Sequence, residues 1–163
     1  MKGGKHLILV GLPGSGKSTV GKWLAELLSL PFTDLDGAIE AKIGQTIPRY
    51  FAGHGEAAFR DVESAALRQA LERPSQIIAT GGGVVLRPEN LRALRRNGRL
   101  IFLNRSLSKL RSSPDRPLSA TQGQLKALYE ARFPLYQAAA ELQISADGDP
   151  GSVVRVIRKE LGL

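Results

Sequence analysis

Cysteine is absent from the sequence, and several other residue types that carry chemistry are scarce. The 163 residues include two histidines, one methionine and one tryptophan. Without cysteine the chain has no thiol catalysis, no cysteine-ligated zinc and no disulfide scaffold. The two histidines, His6 and His54, have no partner pattern that would assign them a role.

Long apolar runs are missing as well. The first run, residues 7–10, is too short for the core of a signal peptide, and a glycine-rich loop follows it directly. No other segment approaches the roughly 18 apolar residues that a membrane-spanning helix needs. We therefore expect a soluble, cytoplasmic protein that does not bind membranes.

The overall composition is that of a globular domain with a basic surface. Apolar residues make up 42% and charged residues 23%, and the length of 163 residues is that of one domain. The 23 lysines and arginines outnumber the 15 acids, which gives a net charge of +8. This excess predicts a polyanionic partner: nucleic acid, an anionic membrane surface, or a small phosphate or carboxylate. Composition does not choose among these.

Short apolar runs alternate with stretches of helical spacing along the chain. Continuous apolar runs are typical of buried parallel strands. They occur at residues 6–10, 76–79 and 100–103, with a weaker run at 142–145 and a short candidate at 31–35. The alternation predicts an α/β domain with a mostly parallel sheet and right-handed crossovers.

Two shorter patterns concern a helix and a loop. Pro88 is suited to open a helix and Gly98 to close it. Residues 112–123, SSPDRPLSATQG, have no apolar period and are rich in Ser, Pro and Gly. They predict a surface loop, of a length at which loops are functional or disordered.

Residues 11–18 read GLPGSGKS, a match to the P-loop pattern between an apolar strand and an amphipathic helix. Gly11 and Gly16 allow backbone N–H groups to approach phosphate oxygens without a Cβ in the way. Lys17 then reaches the β- and γ-phosphates, and the Ser18 hydroxyl coordinates Mg²⁺. The helix directs its positive N-terminal end at the phosphates. The motif predicts binding of ATP or GTP with Mg²⁺.

The strand that often supplies a second magnesium carboxylate ends here in glycine. The run at 76–79 leads into TGGG at 80–83 without an acid. The carboxylate must therefore come from elsewhere, and Asp34 and Asp36 after the second strand are the nearest candidates. Three consecutive glycines indicate backbone that lies against a ligand, with a tight strand-to-helix turn as the alternative.

Taken together, these residues resemble shikimate kinase, a family of the nucleoside-monophosphate-kinase-like group of P-loop enzymes. Besides the P-loop, the resemblance rests on FTDLD at 32–36, IPRYFAGHGEAAFRDVE at 47–63, TGGG at 80–83, RPL at 116–118 and YEARFPLY at 129–136. It implies a three-layer α/β/α P-loop kinase fold in one domain, residues 1–163, with a central five-stranded parallel sheet. Within that domain it implies a substrate-binding region at 33–63 and a mobile lid at 111–123.

The family uses ATP and Mg²⁺ to phosphorylate the 3-hydroxyl of shikimate, a cyclohexene carboxylate, in chorismate and aromatic amino-acid biosynthesis. By resemblance, Arg60 and Arg132 bind the substrate carboxylate, a role that suits the forked guanidinium group. Asp36 binds ring hydroxyls and orients or deprotonates the attacking one. The other substrate contacts implied are Phe51, Phe59, Gly81, Gly82 and Gly83.

The resemblance also implies the nucleotide and metal contacts. Lys17 and the lid arginine, Arg116, are expected to act on the transferring phosphoryl group. Ser18 and Asp34 are expected to hold Mg²⁺, Asp34 through water, and Arg111 to lie against adenine. The full set of nucleotide-binding residues implied is Gly11, Pro13, Gly14, Ser15, Gly16, Lys17, Ser18, Thr19, Arg111, Arg116 and Pro150.

Several of these roles have structural alternatives. Arg60 and Glu63, three apart on a helix, also fit a surface ion pair. Asp36 also fits a helix cap, and Arg132 a solvated charge. Lys109 is an alternative contact to adenine.

Three functions compete with shikimate phosphorylation. A related small-molecule kinase such as gluconate kinase also uses a polyhydroxy carboxylate, but the paired arginines favour shikimate. A catalytically silent relative would be expected to lack Lys17, Asp36 or Arg116, and all three are present. Nucleic-acid binding would use the arginines at 87–105, whose predicted helix carries no aromatic residue for base stacking. We expect a monomeric enzyme with shikimate as its partner and no nucleic-acid partner.

Overall fold

The structure, a computed structural model, describes residues 5–163. Across these residues it contains an all-parallel sheet of five strands in the order β2–β3–β1–β4–β5. The strands are β1 (His6–Val10), β2 (Phe32–Asp34), β3 (Ile77–Ala79), β4 (Gly98–Asn104) and β5 (Leu142–Ser145). The predicted α/β fold with a parallel sheet is confirmed, and each predicted apolar run overlaps one strand.

Six α-helices accompany the sheet in the described part of the chain. They are α1 (Lys17–Leu28), α2 (Leu35–Ile43), α3 (Ile47–Leu71), α4 (Pro88–Asn97), α5 (Gln122–Ala139) and α6 (Pro150–Leu161). The predicted helix between Pro88 and Gly98 is α4, which begins at that proline and ends directly before that glycine. Within residues 5–163, no helix has both the length and the apolar character that crossing a membrane requires.

The helices cover both faces of the sheet. Alternate residues of a strand point to opposite faces, and β1 follows this rule. Ile8 and Val10 pack with residues of α2, α3, α4 and α5, whereas Leu7 and Leu9 pack with residues of α1 and α6. The result is three layers with an apolar core on each side of the sheet, as the resemblance implies.

The segments that carry the predicted site residues lie at or after the carboxyl ends of strands. Because the strands are parallel, these ends lie at one edge of the sheet, and open α/β sheets bind ligands in the crevice there. The P-loop follows β1, Asp34 ends β2, and the glycine turn (residues 81–83) follows β3. The predicted lid, 111–123, lies after β4 and runs two residues into α5, which begins at Gln122.

Two helix details go beyond the sequence patterns. Helix α3 is interrupted at Gly55, whose φ of 85° and ψ of 171° lie outside the helical region. A residue with a Cβ rarely adopts such a conformation. At the start of α2 the N-cap is Asp34, whose side chain accepts a hydrogen bond from the Asp36 N–H at 3.2 Å. The helix-cap alternative for Asp36 is therefore wrong.

Candidate active site

The P-loop wraps around the ammonium group of Lys17. Gly14 and Gly16 have left-handed backbone conformations, with φ of 81° and 93°, which glycine adopts at little cost. The Lys17 Nζ donates hydrogen bonds to the carbonyls of Gly11 and Leu12, at 2.7 and 2.9 Å. Burial lowers the pKa of Lys17 to about 8, against the opposing attraction of two nearby aspartates.

A cavity of about 620 Å³ extends from the P-loop toward α6. It is the part of the site with room for a nucleotide base and ribose. Both candidate adenine contacts, Arg111 and Lys109, line it, so their alternative stays open. Its other lining residues include Gly14, Ser15, Gly16, Thr19, Arg105, Arg116, Asp147, Pro150 and Val153.

The metal candidates meet at the base of the P-loop. The Ser18 hydroxyl donates a hydrogen bond to Asp34 Oδ2 at 2.7 Å, and both residues line a second cavity, of about 300 Å³, with Lys17 and Asp36. Within residues 5–163, no cluster of three or more His, Cys, Asp or Glu side chains could hold a metal. This donor set fits Mg²⁺, which keeps several waters and takes one or two protein oxygens together with substrate phosphates.

A third cavity, of about 310 Å³, lies between α2, α3, the glycine turn and the lid. All the predicted substrate-binding residues line this cavity, which lies on one side of the P-loop. Phe51 and Phe59 form an apolar wall, with ring centroids 5.8 Å apart. The predicted site residues that line this cavity are Pro13, Asp36, Phe51, Phe59, Arg60, Gly81, Gly82, Gly83, Arg116 and Arg132.

Neighbouring residues on the same helix, α3, hold the guanidinium group of Arg60. Arg60 is buried, and its Nη1 lies 2.9 Å from Oε1 of Glu63, which is also buried. Glu56 lies 3.5 Å from Nη2, and the Phe59 ring lies beneath the guanidinium with its centroid 5.1 Å from Cζ. Burial raises the pKa of Glu63 despite the attraction of Arg60. The surface ion pair considered for these two residues is therefore wrong.

The second arginine, Arg132 on α5, is buried too, with 5% of its surface exposed. The solvated-charge alternative for this residue is therefore wrong. Among residues 5–163, no carboxylate lies within ion-pair distance of the Arg132 guanidinium. A buried charge is costly without a partner, so this group favours an anionic ligand in the cavity that it lines.

The glycine turn lies directly against these charged groups. A Cβ on Gly81 would be 2.8 Å from Asp36 Oδ1 and from Glu63 Oε2. A Cβ on Gly82 would be 3.1 Å from Arg132 Nη1, and one on Gly83 would overlap the Arg60 guanidinium. None of the three glycines has a positive φ. Glycine is required here for close approach, and not for the backbone conformation of a tight turn.

Asp36 lines both the second cavity, which we call the phosphate cavity, and the third, which we call the substrate cavity. It lies where the two meet. Burial raises the pKa of its carboxyl to about 6, although the Lys17 ammonium opposes the rise. A carboxylate with such a pKa is a better proton acceptor near neutral pH than an ordinary aspartate. The position and the pKa both suit a base directed at a ligand hydroxyl.

Arg116 reaches from the segment predicted as a lid, residues 111–123, to the P-loop. Its guanidinium nitrogens lie against Gly14, where a Cβ would be 3.4 Å from Nη1 and Nη2. Its Nη1 donates a hydrogen bond to the Arg111 carbonyl at 2.8 Å. Arg116 lines all three cavities: the first, of about 620 Å³, which we call the nucleotide cavity, the phosphate cavity and the substrate cavity. In the described chain, its sequence neighbour Asp115 forms no ion pair with it.

Sequence analysis missed several residues of this site. Glu40 lines the substrate cavity, and its Oε2 accepts a hydrogen bond from the Ile47 N–H at 2.8 Å. Asp147 accepts hydrogen bonds from the backbone and hydroxyl of Ser106 beside the nucleotide cavity. The Tyr136 hydroxyl donates to the Gly82 carbonyl. Two signals could have found Tyr136: it ends the motif YEARFPLY at 129–136, and it lies four residues after Arg132 on one face of α5.

The arginines of α4 and its flanks are partly engaged within the protein. Arg87 lies 2.8 Å from the Asp61 carboxylate, and Arg99 lies 2.8 Å from that of Glu141. Arg95 donates to the Ala138 carbonyl at 3.0 Å. The two ion pairs offset the charge of Arg87 and Arg99, whereas Arg95 keeps its charge beside a neutral carbonyl.

Comparison with known proteins agrees with this geometry. The family model described as shikimate kinase matches residues 13–162. A shikimate kinase of Paracidovorax citrulli is 45% identical over 148 residues, which cover 85% of this chain and 81% of that protein. One of Pseudomonas entomophila is 42% identical over 157 residues, covering 92% of this chain and 91% of that protein.

Solved structures point the same way. The shikimate kinase of Acinetobacter baumannii in complex with shikimate has a TM-score of 0.90 and 32% identity, and the match covers 97% of this chain and 93% of that one. A gluconokinase of Sinorhizobium meliloti has a TM-score of 0.63 and 18% identity, and the match covers 98% of this chain and 92% of that one. The gluconokinase shares the fold alone, whereas the matches to shikimate kinases extend to the sequence. The chain belongs to the shikimate kinase family.

Proposed function

We propose that this protein transfers the γ-phosphoryl group of ATP to the 3-hydroxyl of shikimate, with shikimate 3-phosphate and ADP as products. One observation carries the choice of acceptor: two buried guanidinium groups, Arg60 and Arg132, line a cavity that Asp36 joins to the P-loop. The cavity combines cations for a carboxylate with a base for a hydroxyl. Shikimate carries both groups, as gluconate does, and the 45% identity to a shikimate kinase against 18% to a gluconokinase favours shikimate.

The carboxylate of the acceptor binds to Arg60 and Arg132. Before the ligand arrives, Arg60 is held by Glu63, and Arg132 is buried against the glycine turn. Preorganised donors lose little conformational entropy on binding. The ring of shikimate then packs on Phe51 and Phe59, which leaves its hydroxyls toward the P-loop.

The phosphate chain of ATP binds to the P-loop amides and to Lys17. Arg116 contributes a second cation from the lid, and Pro150 and Arg111 border the base. Ser18 and Asp34 are the residues that would hold Mg²⁺, which supplies neutralisation of phosphate charge when bound. Positioning and charge neutralisation account for most of the catalysis of phosphoryl transfer.

Asp36 accepts the proton of the attacking hydroxyl. Its carboxylate lines both the substrate and the phosphate cavities, so one group can contact the hydroxyl and lie beside the transferring phosphoryl. Lys17 stabilises the carboxylate form and so keeps its pKa within the range of a usable base. The lid residues around Arg116 exclude water, which would otherwise accept the phosphoryl group.

The proposal extends to partners and location. We keep the expectation of a cytoplasmic monomer with no nucleic-acid or membrane partner. The intramolecular contacts of Arg87, Arg95 and Arg99 support the absence of a nucleic-acid function. The monomer is a prediction that light scattering after size exclusion would test.

The acceptor is tested by measuring ADP release with shikimate and with D-gluconate under identical ATP and Mg²⁺. The expected kcat/KM is at least roughly 100-fold higher for shikimate, because a rigid site with placed charges rejects an acceptor of different shape. Equal use of gluconate, or ADP release that does not depend on the acceptor, would contradict the proposal. A Lys17→Ala variant controls for contaminating kinases.

A further inference from the structure

Tyr136 joins the helix that carries Arg132 to the glycine turn. It lies four residues after Arg132 on α5, which places both side chains on the same face of that helix. The Tyr136 side chain is fully buried, and its ring lies 5.2 Å from that of Phe102. Its hydroxyl donates a hydrogen bond to the carbonyl of Gly82.

Two carbonyls of the glycine turn accept backbone hydrogen bonds, Gly81 from the Val84 N–H at 3.2 Å and Gly83 from the Leu86 N–H at 3.1 Å. Glycine has no Cβ and therefore populates a wide range of backbone conformations. The backbone of the turn must hold a fixed position relative to the two arginines, because Gly82 lies against Arg132 and Gly83 lies against Arg60. In the described structure the Gly82 carbonyl has no such backbone donor, and the Tyr136 hydroxyl supplies its hydrogen bond.

Fixing the Gly82 carbonyl also fixes the next N–H group. The peptide between Gly82 and Gly83 is planar and trans, so the Gly83 N–H points away from the side on which Tyr136 binds the carbonyl. The hydroxyl remains a donor at physiological pH, since burial raises the pKa of Tyr136 to about 12. Tyr136 thus restrains the peptide that joins Gly82, which lies against Arg132, to Gly83, which lies against Arg60.

We propose that Tyr136 is a positioning residue for the acceptor carboxylate, acting through the glycine turn on which the Arg60 and Arg132 guanidinium groups lie. Tyr136 does not line the substrate cavity, so its effect on the ligand is indirect. The inference rests on the proposed function, because it concerns the site that this function assigns to the carboxylate. It adds a residue that the ligand never touches.

Tyr136→Phe tests the proposal, because it removes the hydroxyl and keeps the ring that packs on Phe102. The matched control is Tyr129→Phe, which removes a hydroxyl from the same helix. In the described structure the Tyr129 hydroxyl forms no hydrogen bond, and its ring packs on Phe133. Both variants are compared with the wild type by steady-state kinetics, by calorimetric titration with shikimate and by thermal unfolding.

For Tyr136→Phe we expect the KM and Kd for shikimate to rise about tenfold, the effect of losing one buried hydrogen bond. The KM for ATP stays at the wild-type value, and Tyr129→Phe leaves both constants unchanged. Unchanged shikimate constants overturn the proposal. So does a parallel rise in both KM values with a lower Tm, which indicates a purely structural role. A wild type that does not phosphorylate shikimate contradicts the proposed function instead.

Discussion

The hydroxyl of Ser18 donates a hydrogen bond to the carboxylate of Asp34 across 2.7 Å, and so joins the first residues of α1 to the end of β2. The two residues are 16 positions apart in sequence, and β3 lies between their strands β1 and β2 in the sheet. Their contact places a hydroxyl and a carboxylate oxygen at one point beside Lys17. This pair is the candidate position for Mg²⁺.

Replacement of Asp34 by Asn is expected to raise the Mg²⁺ concentration for half-maximal activity about tenfold or more. The amide keeps the shape and loses the charge that a hard cation prefers. The measurement is a Mg²⁺ titration of the initial rate at fixed ATP. Asp61→Asn, an exposed aspartate on α3, is the control and leaves the requirement unchanged. An unaltered requirement in Asp34→Asn would remove this residue from the metal site.

Replacement of Arg60 by Ala is expected to raise the KM for shikimate roughly 100-fold, with a smaller effect on kcat. Removal of one partner of a buried, charge-assisted contact costs about 2–5 kcal/mol, and each 1.4 kcal/mol is a factor of ten. Arg49→Ala, an exposed arginine on the same helix, is the matched control. If both variants have the wild-type KM for shikimate, the carboxylate assignment is wrong.

The pH dependence of kcat/KM for shikimate is expected to have an acidic limb with a midpoint at about 6, the raised pKa of Asp36. Only the carboxylate form accepts a proton, so the rate falls as the pH decreases below that value. Asp36→Asn should lose most activity, and its residual rate should lack this limb. A limb that persists in Asp36→Asn belongs to another group, such as the nucleotide phosphate, and would contradict the role of Asp36 as base.

Replacement of Arg116 by Ala is expected to lower kcat about 100-fold or more, with little change in the KM for shikimate. A cation beside the transferring phosphoryl stabilises charge that develops in the transition state. Arg96→Ala on α4, an exposed arginine that lines none of the three cavities, should behave as the wild type. A fall in kcat of less than about threefold would exclude Arg116 from the phosphoryl site.

Much of the fold follows from local patterns. The boundaries of β1 are predicted to the residue, because its apolar run is continuous and a glycine-rich loop ends it. β4 extends beyond its predicted run at both ends, since Gly98 and Asn104 pair in the sheet without being apolar. The kink in α3 is set by the φ of Gly55, and a glycine alone does not predict its own dihedral angles.

The P-loop contacts follow from its motif, whereas the burial of the arginines does not. Arg60 and Glu63 are three residues apart on a helix, a spacing that fits an exposed pair and a buried pair equally well. Their burial depends on the glycine turn and α5, which are remote in sequence. Tyr136 illustrates the same limit, because a tyrosine among apolar helical residues looks like core until its hydroxyl is seen against Gly82.

The identity of the phosphorylated hydroxyl tests the central claim most directly. Shikimate and ATP are incubated with the wild type and with Lys17→Ala, and the products are followed by phosphorus NMR with proton coupling. We predict one phosphate monoester coupled to the proton on carbon 3, formed in equal amount with ADP, and none with Lys17→Ala. Orthophosphate without a shikimate ester, or an ester at another hydroxyl, would contradict the account.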